Sequence, residues 1–194
     1  MPKNTTPTKR RRADAERSVQ AILTGALDAL AGDPDSSMAE IARRAGVVRA
    51  TIYMHFPTRE ALLDAVMEHA VGRVVDAMRA AEPERGEPVE ALERVLLATW
   101  RELSQFHALL ELNISRLTPK ELRRRHLPMT SMLGPLIERG QKAGVFRSDL
   151  PAEWHQAVIR GIVHTASTEL RGGHIPASEV EAAMLSTAVN AVRS

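Results

Sequence analysis

The sequence contains no cysteine and very few aromatic residues. The absence of cysteine excludes disulfide bonds, thiolate metal sites and cysteine nucleophiles. Aromatic residues make up only 3% of the 194 residues, and runs of β-branched residues of strand length are lacking. Alanine and leucine, which favour helices, are abundant. We therefore expect an all-α protein, and a hydrophobic content of 44% is sufficient to fill its core.

Long apolar runs and a strong net charge are also lacking. The sequence has no stretch of about eighteen apolar residues that could span a membrane, and no apolar segment follows the basic N-terminal residues as in a signal peptide. We expect a cytoplasmic protein without a membrane partner. The formal net charge of +2 does not by itself indicate a nucleic-acid-binding protein, so its distribution along the chain matters more.

Motifs for catalysis or metal binding are missing as well. Of the seven histidines, His155 and His164 are nine residues apart, which places them on opposite sides of one helix. The sequence has no His-Glu-x-x-His motif, phosphate-binding loop or nucleophile elbow. We therefore expect no cofactor, no metal ligand and no catalytic residue, and the protein is not expected to be an enzyme.

The most informative stretch runs from Ser37 to Leu62 and predicts two short helices joined by a tight turn. Ser37 and Glu40 have the spacing of a capping box, which predicts that a helix begins here. Gly46 can adopt the positive φ that a chain needs when it leaves one helix and turns into another. The second helix is expected from about Arg49 to Phe56, because the following proline disfavours a helical residue before it.

The second of these helices has two chemically different faces. Ile52 and Phe56 are four residues apart and are expected to point inward. The opposite side carries groups suited to phosphates, thymine methyl groups and base edges. Its residues are Arg49, Ala50, Thr51, Tyr53 and Met54.

At these positions the sequence resembles the TetR family of bacterial transcriptional regulators. The resemblance rests on Ile41-Ala42, Ala45-Gly46-Val47, Tyr53-Met54-His55-Phe56 and Arg59, which occur in the order of the family signature. Two residues depart from that signature, since the family usually has Ser or Thr in place of Val48 and Lys in place of Arg59. Because Val48 has no side-chain acceptor, the second helix loses an N-cap typically worth about 1 kcal/mol.

The resemblance implies a fold of about nine helices, with an N-terminal helix-turn-helix head and a helical body for ligand binding and dimerisation. It implies a repressor that a small-molecule effector releases from a pseudo-palindromic operator in double-stranded DNA. We expect Arg49, Ala50 and Thr51 to read bases. The residues expected at phosphates are Ser37, Tyr53, His55 and Arg59.

The predicted organisation has four parts. Residues 1–13 form a basic, disordered arm, residues 14–58 the helix-turn-helix domain, residues 59–82 a linking helix, and residues 83–194 the body. The boundary of the body is placed at the segment PERGEP, which interrupts the helical pattern. A further helix is expected to begin at Pro128. The arm either follows the DNA backbone into the minor groove or remains a solvated tail.

The last two predicted helices, residues 151–171 and 176–193, carry apolar and small residues on one face each. This favours a homodimer through a four-helix interface, as the resemblance also implies. The alternative is that these faces close the core of the chain itself. The candidate interface residues are Val158, Gly161, Ile162, Thr165, Met184 and Ala188.

Six residues of the body lie on helices that, by the same resemblance, surround a ligand cavity. They are Trp100, Phe106, Asn113, Met129, Met132 and Leu136. Ordinary core packing is the alternative interpretation for each of them. The run Arg123-Arg124-Arg125 is interpreted as a solvated helix surface, with an acidic-ligand site or a second DNA patch as the alternative.

A different class of function remains open at this point. A helical small-molecule-binding protein or enzyme could retain a degenerate DNA-binding head, and the missing cap at Val48 is the residue that favours this interpretation.

Overall fold

A computed structural model describes residues 7–105 and 117–194, and for residues 7–13 it describes the backbone alone. Within these ranges the chain forms eight α-helices, so the predicted all-α fold is confirmed. The helices are α1 (Pro7–Gly32), α2 (Met38–Arg44), α3 (Arg49–His55), α4 (Arg59–Ala80), α5 (Pro88–Leu103), α6 (Pro119–Lys142), α7 (Ala152–Gly172) and α8 (Ala177–Val192). None of these helices combines the length and apolar character needed to cross a membrane.

The chain divides into two units, Met1–Ala70 and Val71–Ser194. The division falls inside α4, whereas the sequence analysis placed the boundary of the body at residue 83. The segment after α4 belongs to the second unit because two arginines bind its backbone. Arg94 donates hydrogen bonds to the carbonyl oxygens of residues 81, 82 and 85, and Arg139 donates to those of residues 83 and 86.

In the first unit, α1, α2 and α3 enclose a small apolar core. Ile22, Leu30, Ile41 and Ile52 are completely buried there. Gly25 lets α1 approach the end of α2 closely, since a Cβ at this position would lie 2.5 Å from the Cα of Ala45. The backbone of α2 is therefore held directly against α1.

Helix α1 begins earlier than predicted. The sequence predicts a disordered arm over residues 1–13, but residues 7–13 are helical, while residues 1–6 lie outside the described residues. Pro7 suits the first position of a helix, since its fixed φ is helical and the first turn requires no N–H from it. The lysine and arginines that follow are good helix formers, so the segment favours a helix although it is polar.

In the second unit, α5 packs against α6 and α8, and α7 packs against α6 and α8. Trp100 of α5 is buried with Ala166 of α7 and with Val180 and Met184 of α8. The chain ends against the loop before α7, where the N–H of Arg147 donates to the carbonyl oxygen of Val192 at 2.9 Å. One part of the core of this unit therefore lies between α5, α7 and α8, and α6 adds the buried Leu133, Leu136 and Ile137.

Helix α6 is one continuous helix, although the sequence analysis expected a new helix to begin at Pro128. Thr118 and Glu121 form a reciprocal capping box at its start. Pro128 and Pro135 lie inside the helix and are solvent-exposed. Each proline lacks the N–H for one intrahelical hydrogen bond. Because both prolines face water, the carbonyl oxygen that loses its donor can be hydrated, and the helix continues.

Candidate nucleic-acid interface

Helix α2 begins at Ser37 as predicted. Ser37 has an extended backbone conformation, and its Oγ accepts a hydrogen bond from the N–H of Glu40 at 3.2 Å. The carboxylate of Glu40 does not complete the predicted capping box. It instead accepts hydrogen bonds from Arg43 at 2.9 and 2.5 Å and from Arg44 at 3.2 Å, which lower the pKa of Glu40 to about 2. One half of the predicted box is therefore replaced by ion pairs along α2.

The turn between α2 and α3 has the geometry expected at Gly46. Gly46 has a φ of +66°, and its N–H donates to the carbonyl oxygen of Arg43 at 3.2 Å. The N–H of Val47 donates to the carbonyl oxygen of Ala42 at 3.0 Å, which closes the end of α2. The prediction that Gly46 takes positive φ is confirmed.

Helix α3 begins at Val48, which occupies the N-cap position with φ −78° and ψ 148°. The carbonyl oxygen of Val48 accepts the first hydrogen bond, from the N–H of Thr51 at 2.9 Å. The valine side chain has no acceptor for the other free N–H groups and is 70% exposed. On the other side of the helix Ile52 is 0% and Phe56 is 9% exposed, so the predicted inward residues of α3 do pack inward.

The outward side of α3 carries a pair of interacting side chains. Arg49 donates a hydrogen bond from Nη2 to the hydroxyl oxygen of Tyr53 at 3.1 Å, and its guanidinium carbon lies 5.3 Å from the centroid of the tyrosine ring. The hydroxyl of Tyr53 still has its own proton to donate. Ala50 beside this pair is exposed, and Met54 is 74% exposed. The surface is therefore a cation and a hydroxyl surrounded by apolar groups.

Thr51 and His55 are only half-buried, so each retains accessible surface on α3. Thr58, which the sequence analysis did not single out, caps α4, because its Oγ1 accepts a hydrogen bond from the N–H of Ala61 at 3.1 Å. A threonine just before the acidic first turn of a helix is the sequence signal that predicts this cap.

Arg59 is positioned differently from the other predicted phosphate contacts. Its guanidinium donates to the backbone carbonyl oxygen of Ser36 at 2.5 Å and to that of Pro34 at 3.1 Å. Both bonds are partly buried and span more than twenty residues of sequence. The side chain predicted to bind a phosphate thus binds the turn that precedes α2.

The sequence and the fold are both similar to known regulators. Residues 22–66, which include α2 and α3, match the family model described as bacterial regulatory proteins, tetR family. The chain is 30% identical to the TetR transcription regulatory protein from Mycobacterium vanbaalenii, and the match covers 94% of this chain and 99% of that crystal structure, with a TM-score of 0.66. The chain belongs to the TetR family.

Two further relatives extend the comparison over nearly the whole chain. The transcriptional regulator NfxB of Pseudomonas aeruginosa is 28% identical over 185 residues, which are 92% of this chain and 96% of NfxB. The crystal structure of the TetR-like regulator LfrR from Mycobacterium smegmatis in complex with proflavine has a TM-score of 0.73 at 23% identity and covers 92% of this chain and 98% of that chain. The predicted family is confirmed, and the protein is a DNA-binding transcriptional regulator.

The candidate dimer residues of this TetR-family regulator fall into two groups. Gly161 and Thr165 of α7 are exposed, and Val158 and Ile162 are half-buried. In contrast, Met184 is 2% and Ala188 is 0% exposed. These two α8 residues were predicted at a dimer interface but pack in the core of their own unit. The side of α8 that remains exposed consists mainly of small residues. They include Ala182, Ala183, Ser186, Thr187 and Asn190.

The candidate ligand residues are also distributed unevenly. Trp100 and Leu136 are buried, with 3% and 2% of their surface exposed, and Met129 and Met132 on α6 are half-buried. Phe106 and Asn113 lie outside the described residues. Trp100 packs in the core with α7 and α8, as the alternative interpretation of ordinary core packing predicts.

The second unit also has an open groove of about 840 Å³ between α5 and α8 that the sequence analysis did not anticipate. Its lining includes the apolar residues Leu97, Leu185 and Val189 together with both acidic and basic side chains. Its lining residues come from α5 and from the region of α8, which are far apart in the sequence, so no local pattern indicates the groove. Among the described residues, no three acidic or histidine side chains lie close enough together to hold a metal ion.

Proposed function

We propose that this regulator binds as a homodimer to a pseudo-palindromic operator, with α3 in the major groove, and represses transcription until a small molecule releases it. The observation that carries the proposal is the outward side of α3. A short helix that buries Ile52 and Phe56 displays Arg49, Tyr53 and Met54 to solvent on its other side. Large apolar groups beside an arginine match the methyl groups and acceptors of the major groove.

The contacts divide into two roles. Arg49, Ala50 and Thr51 lie in the first turn of α3 and are proposed to read base edges. Ser37 and His55 are proposed to bind phosphates, as is the hydroxyl of Tyr53, which accepts from Arg49 and can donate to a phosphate oxygen. The same pair holds the guanidinium of Arg49 in place, which lowers the entropy lost when it binds a base.

Selection of bound sequences from random duplex DNA tests this part of the proposal. We expect enrichment of two inverted half-sites about one helical turn or more apart. Loss of a bidentate arginine–guanine contact costs about 1–3 kcal/mol, so Arg49→Ala should weaken binding to the enriched duplex by roughly tenfold to a hundredfold. Arg79→Ala is the matched control, because Arg79 is an exposed helical arginine of the second unit. Failure to enrich any sequence would instead favour a degenerate head.

The proposed dimer interface is the exposed side of α7 together with Ala183 and Thr187, the exposed small residues of α8 that do not line the groove toward α5. Trp154 is 55% exposed, and a Cβ on Gly161 would have no neighbour within 4 Å. Small residues allow two helices to approach closely, and an exposed tryptophan next to them adds a large apolar contact. A two-fold pairing of these surfaces would create a four-helix interface.

Two glycine substitutions test whether the dimer interface includes the exposed side of α7. Gly161→Trp would place a large side chain between the paired helices, so we expect monomers in sedimentation experiments at micromolar concentration. Gly72→Trp is the control, because Gly72 is also an exposed helical glycine with no atom within 4 Å of a Cβ. If Gly161→Trp sediments as the wild type does, the interface lies elsewhere.

The effector is proposed to bind in the second unit at Met129 and Met132 of α6, with the buried Trp100 as the fluorescent reporter. Methionine side chains adapt to ligands of varied shape, and Met129 and Met132 are only half-buried. Trp100 is one of two tryptophans, so Trp154→Phe leaves a single reporter, and because Trp154 lies in the proposed dimer interface, operator binding is compared within this variant with and without the probe. Proflavine, which LfrR binds in its crystal structure, is a suitable first probe. We expect it to change Trp100 emission and to weaken operator binding in the same concentration range.

A further inference from the structure

The guanidinium of Arg59 is held between backbone groups of the head. It is the first residue of α4, and it donates to the carbonyl oxygens of Pro34 and Ser36. The two acceptors are two residues apart on one turn, and the donors are the two terminal nitrogens of a rigid planar group. The side chain therefore links the start of α4 to the turn between α1 and α2.

That turn is already tied to α1. The Oγ of Ser36 donates to the carbonyl oxygen of Ala29 at 3.2 Å, and Ser36 is only 5% exposed. The N–H of Asp35 donates to the side chain of Asp33 at 3.0 Å, which closes the turn locally. Arg59 supplies the connection to α4, and the next residue after the turn, Ser37, begins α2.

We propose that Arg59 is a positioning residue for DNA binding and not a phosphate contact. By holding the turn before α2 against the first turn of α4, it fixes the direction in which α2 leaves the turn. Helix α3 follows α2 through the tight turn at Gly46, so the placement of α2 determines where Arg49 and Tyr53 meet the DNA. The inference rests on the proposed docking of α3.

The start of α4 does not need Arg59 for its own stability. Thr58 already caps the helix by accepting from the N–H of Ala61. The two backbone acceptors, in contrast, lie in a partly buried setting, where a carbonyl oxygen without a donor is costly. Arg59 therefore stabilises the turn and the position of α2, the helix that follows the turn.

The substitution Arg59→Lys distinguishes a positioning role of Arg59 from a phosphate contact. An ammonium group keeps the charge that a phosphate contact needs, but it is a single point and lacks the fork that reaches two carbonyl oxygens. If Arg59 positions α2, Arg59→Lys should weaken binding of the full chain to the selected duplex by about tenfold, as should Arg59→Ala. In both variants the dependence of affinity on salt should keep the wild-type slope.

The measurement is an affinity series over KCl concentration at a temperature where circular dichroism shows every variant to be folded. If Arg59→Ala does not fold, Arg59→Lys alone makes the same comparison. The proposal is overturned if Arg59→Lys retains wild-type affinity and Arg59→Ala lowers the salt slope by about 0.9, which is the effect of losing one phosphate contact. It is equally overturned if both variants bind as the wild type does and lose only thermal stability.

Failure of the proposed function gives a different result. Arg49→Ala is included as a reference, and if it binds the selected duplex with wild-type affinity, then α3 does not read the operator. A random-sequence duplex of the same length is the second probe, because its salt slope reports phosphate contacts even if no operator is enriched.

Discussion

The close approach of α1 and α2 leaves no room for a side chain at Gly25 of the DNA-binding head. A methyl group on Gly25 would lie 2.5 Å from the Cα, 2.6 Å from the N and 2.8 Å from the Cβ of Ala45. Carbon atoms in contact prefer separations of about 3.5–4.0 Å, so the two helices would have to move apart by roughly 1 Å. Because two of the three atoms belong to the backbone, no side-chain rotation can relieve the contact.

The expected cost of Gly25→Ala follows from two opposing contributions. Overpacking of a close contact typically costs about 1–3 kcal/mol, and the rigid backbone of Ala45 favours the upper part of this range. Alanine inside a helix gains about 0.5–1 kcal/mol over glycine. We therefore expect the free energy of unfolding to fall by about 1–2 kcal/mol, and α3 to be displaced together with α2.

Urea unfolding followed by circular dichroism measures the change in stability, and binding to the selected duplex measures the displacement. Gly32→Ala is the control, since Gly32 belongs to the same helix and a Cβ there would have no neighbour within 4 Å. It should be neutral or slightly stabilising. If Gly25→Ala is as stable as Gly32→Ala and binds DNA equally well, the close contact between α1 and α2 is refuted.

Three further predictions concern charged and titratable groups. The carboxyl group of Glu40 should titrate at about 2 by NMR, and Arg43→Gln should raise this pKa toward the ordinary value of 4.5. Because folding lowers the pKa, the stability that Glu40 contributes is present above pH 4.5 and is lost as the pH falls toward 2. Arg139→Ala removes two bonds to the loop after α4 and should lower the free energy of unfolding by about 1–3 kcal/mol, whereas the exposed Arg85→Ala should change it little. Burial lowers the pKa of His126 in the folded chain below its ordinary value of 6.5, so the unfolded chain binds this proton first as the pH falls. At pH values below 6.5 the free energy of unfolding, measured in urea, should therefore decrease more steeply for the wild type than for His126→Gln.

The elements that could be predicted from the sequence are those determined by local chemistry. The cap at Ser37, the positive φ of Gly46 and the inward positions of Ile52 and Phe56 each depend on residues within a few positions of one another. Capping, glycine conformation and helical periodicity operate over such distances. The residues displayed by α3 could be predicted for the same reason, because the opposite face of a short amphipathic helix is fixed once its buried face is known.

The residues that could not be predicted depend on contacts between distant segments. Periodicity identified Met184 and Ala188 as one apolar face of α8, but it could not tell whether another copy or the chain's own core covers that face. The charge of Arg59 suggested a phosphate, whereas its acceptors are more than twenty residues earlier in the chain. A sequence pattern gives the direction of a side chain on its helix, and the partner is determined only by the packing of helices.

Val48 illustrates how packing overrides a local rule. Helix α3 has seven residues, far fewer than the roughly 12–15 that an isolated helix needs in water. Its formation therefore depends on tertiary contacts whether or not an N-cap is present. Burying Ile52 alone contributes about 1.5–3 kcal/mol, which exceeds the roughly 1 kcal/mol of a missing cap. The absence of a serine or threonine at this position therefore does not weaken the case for a functional head.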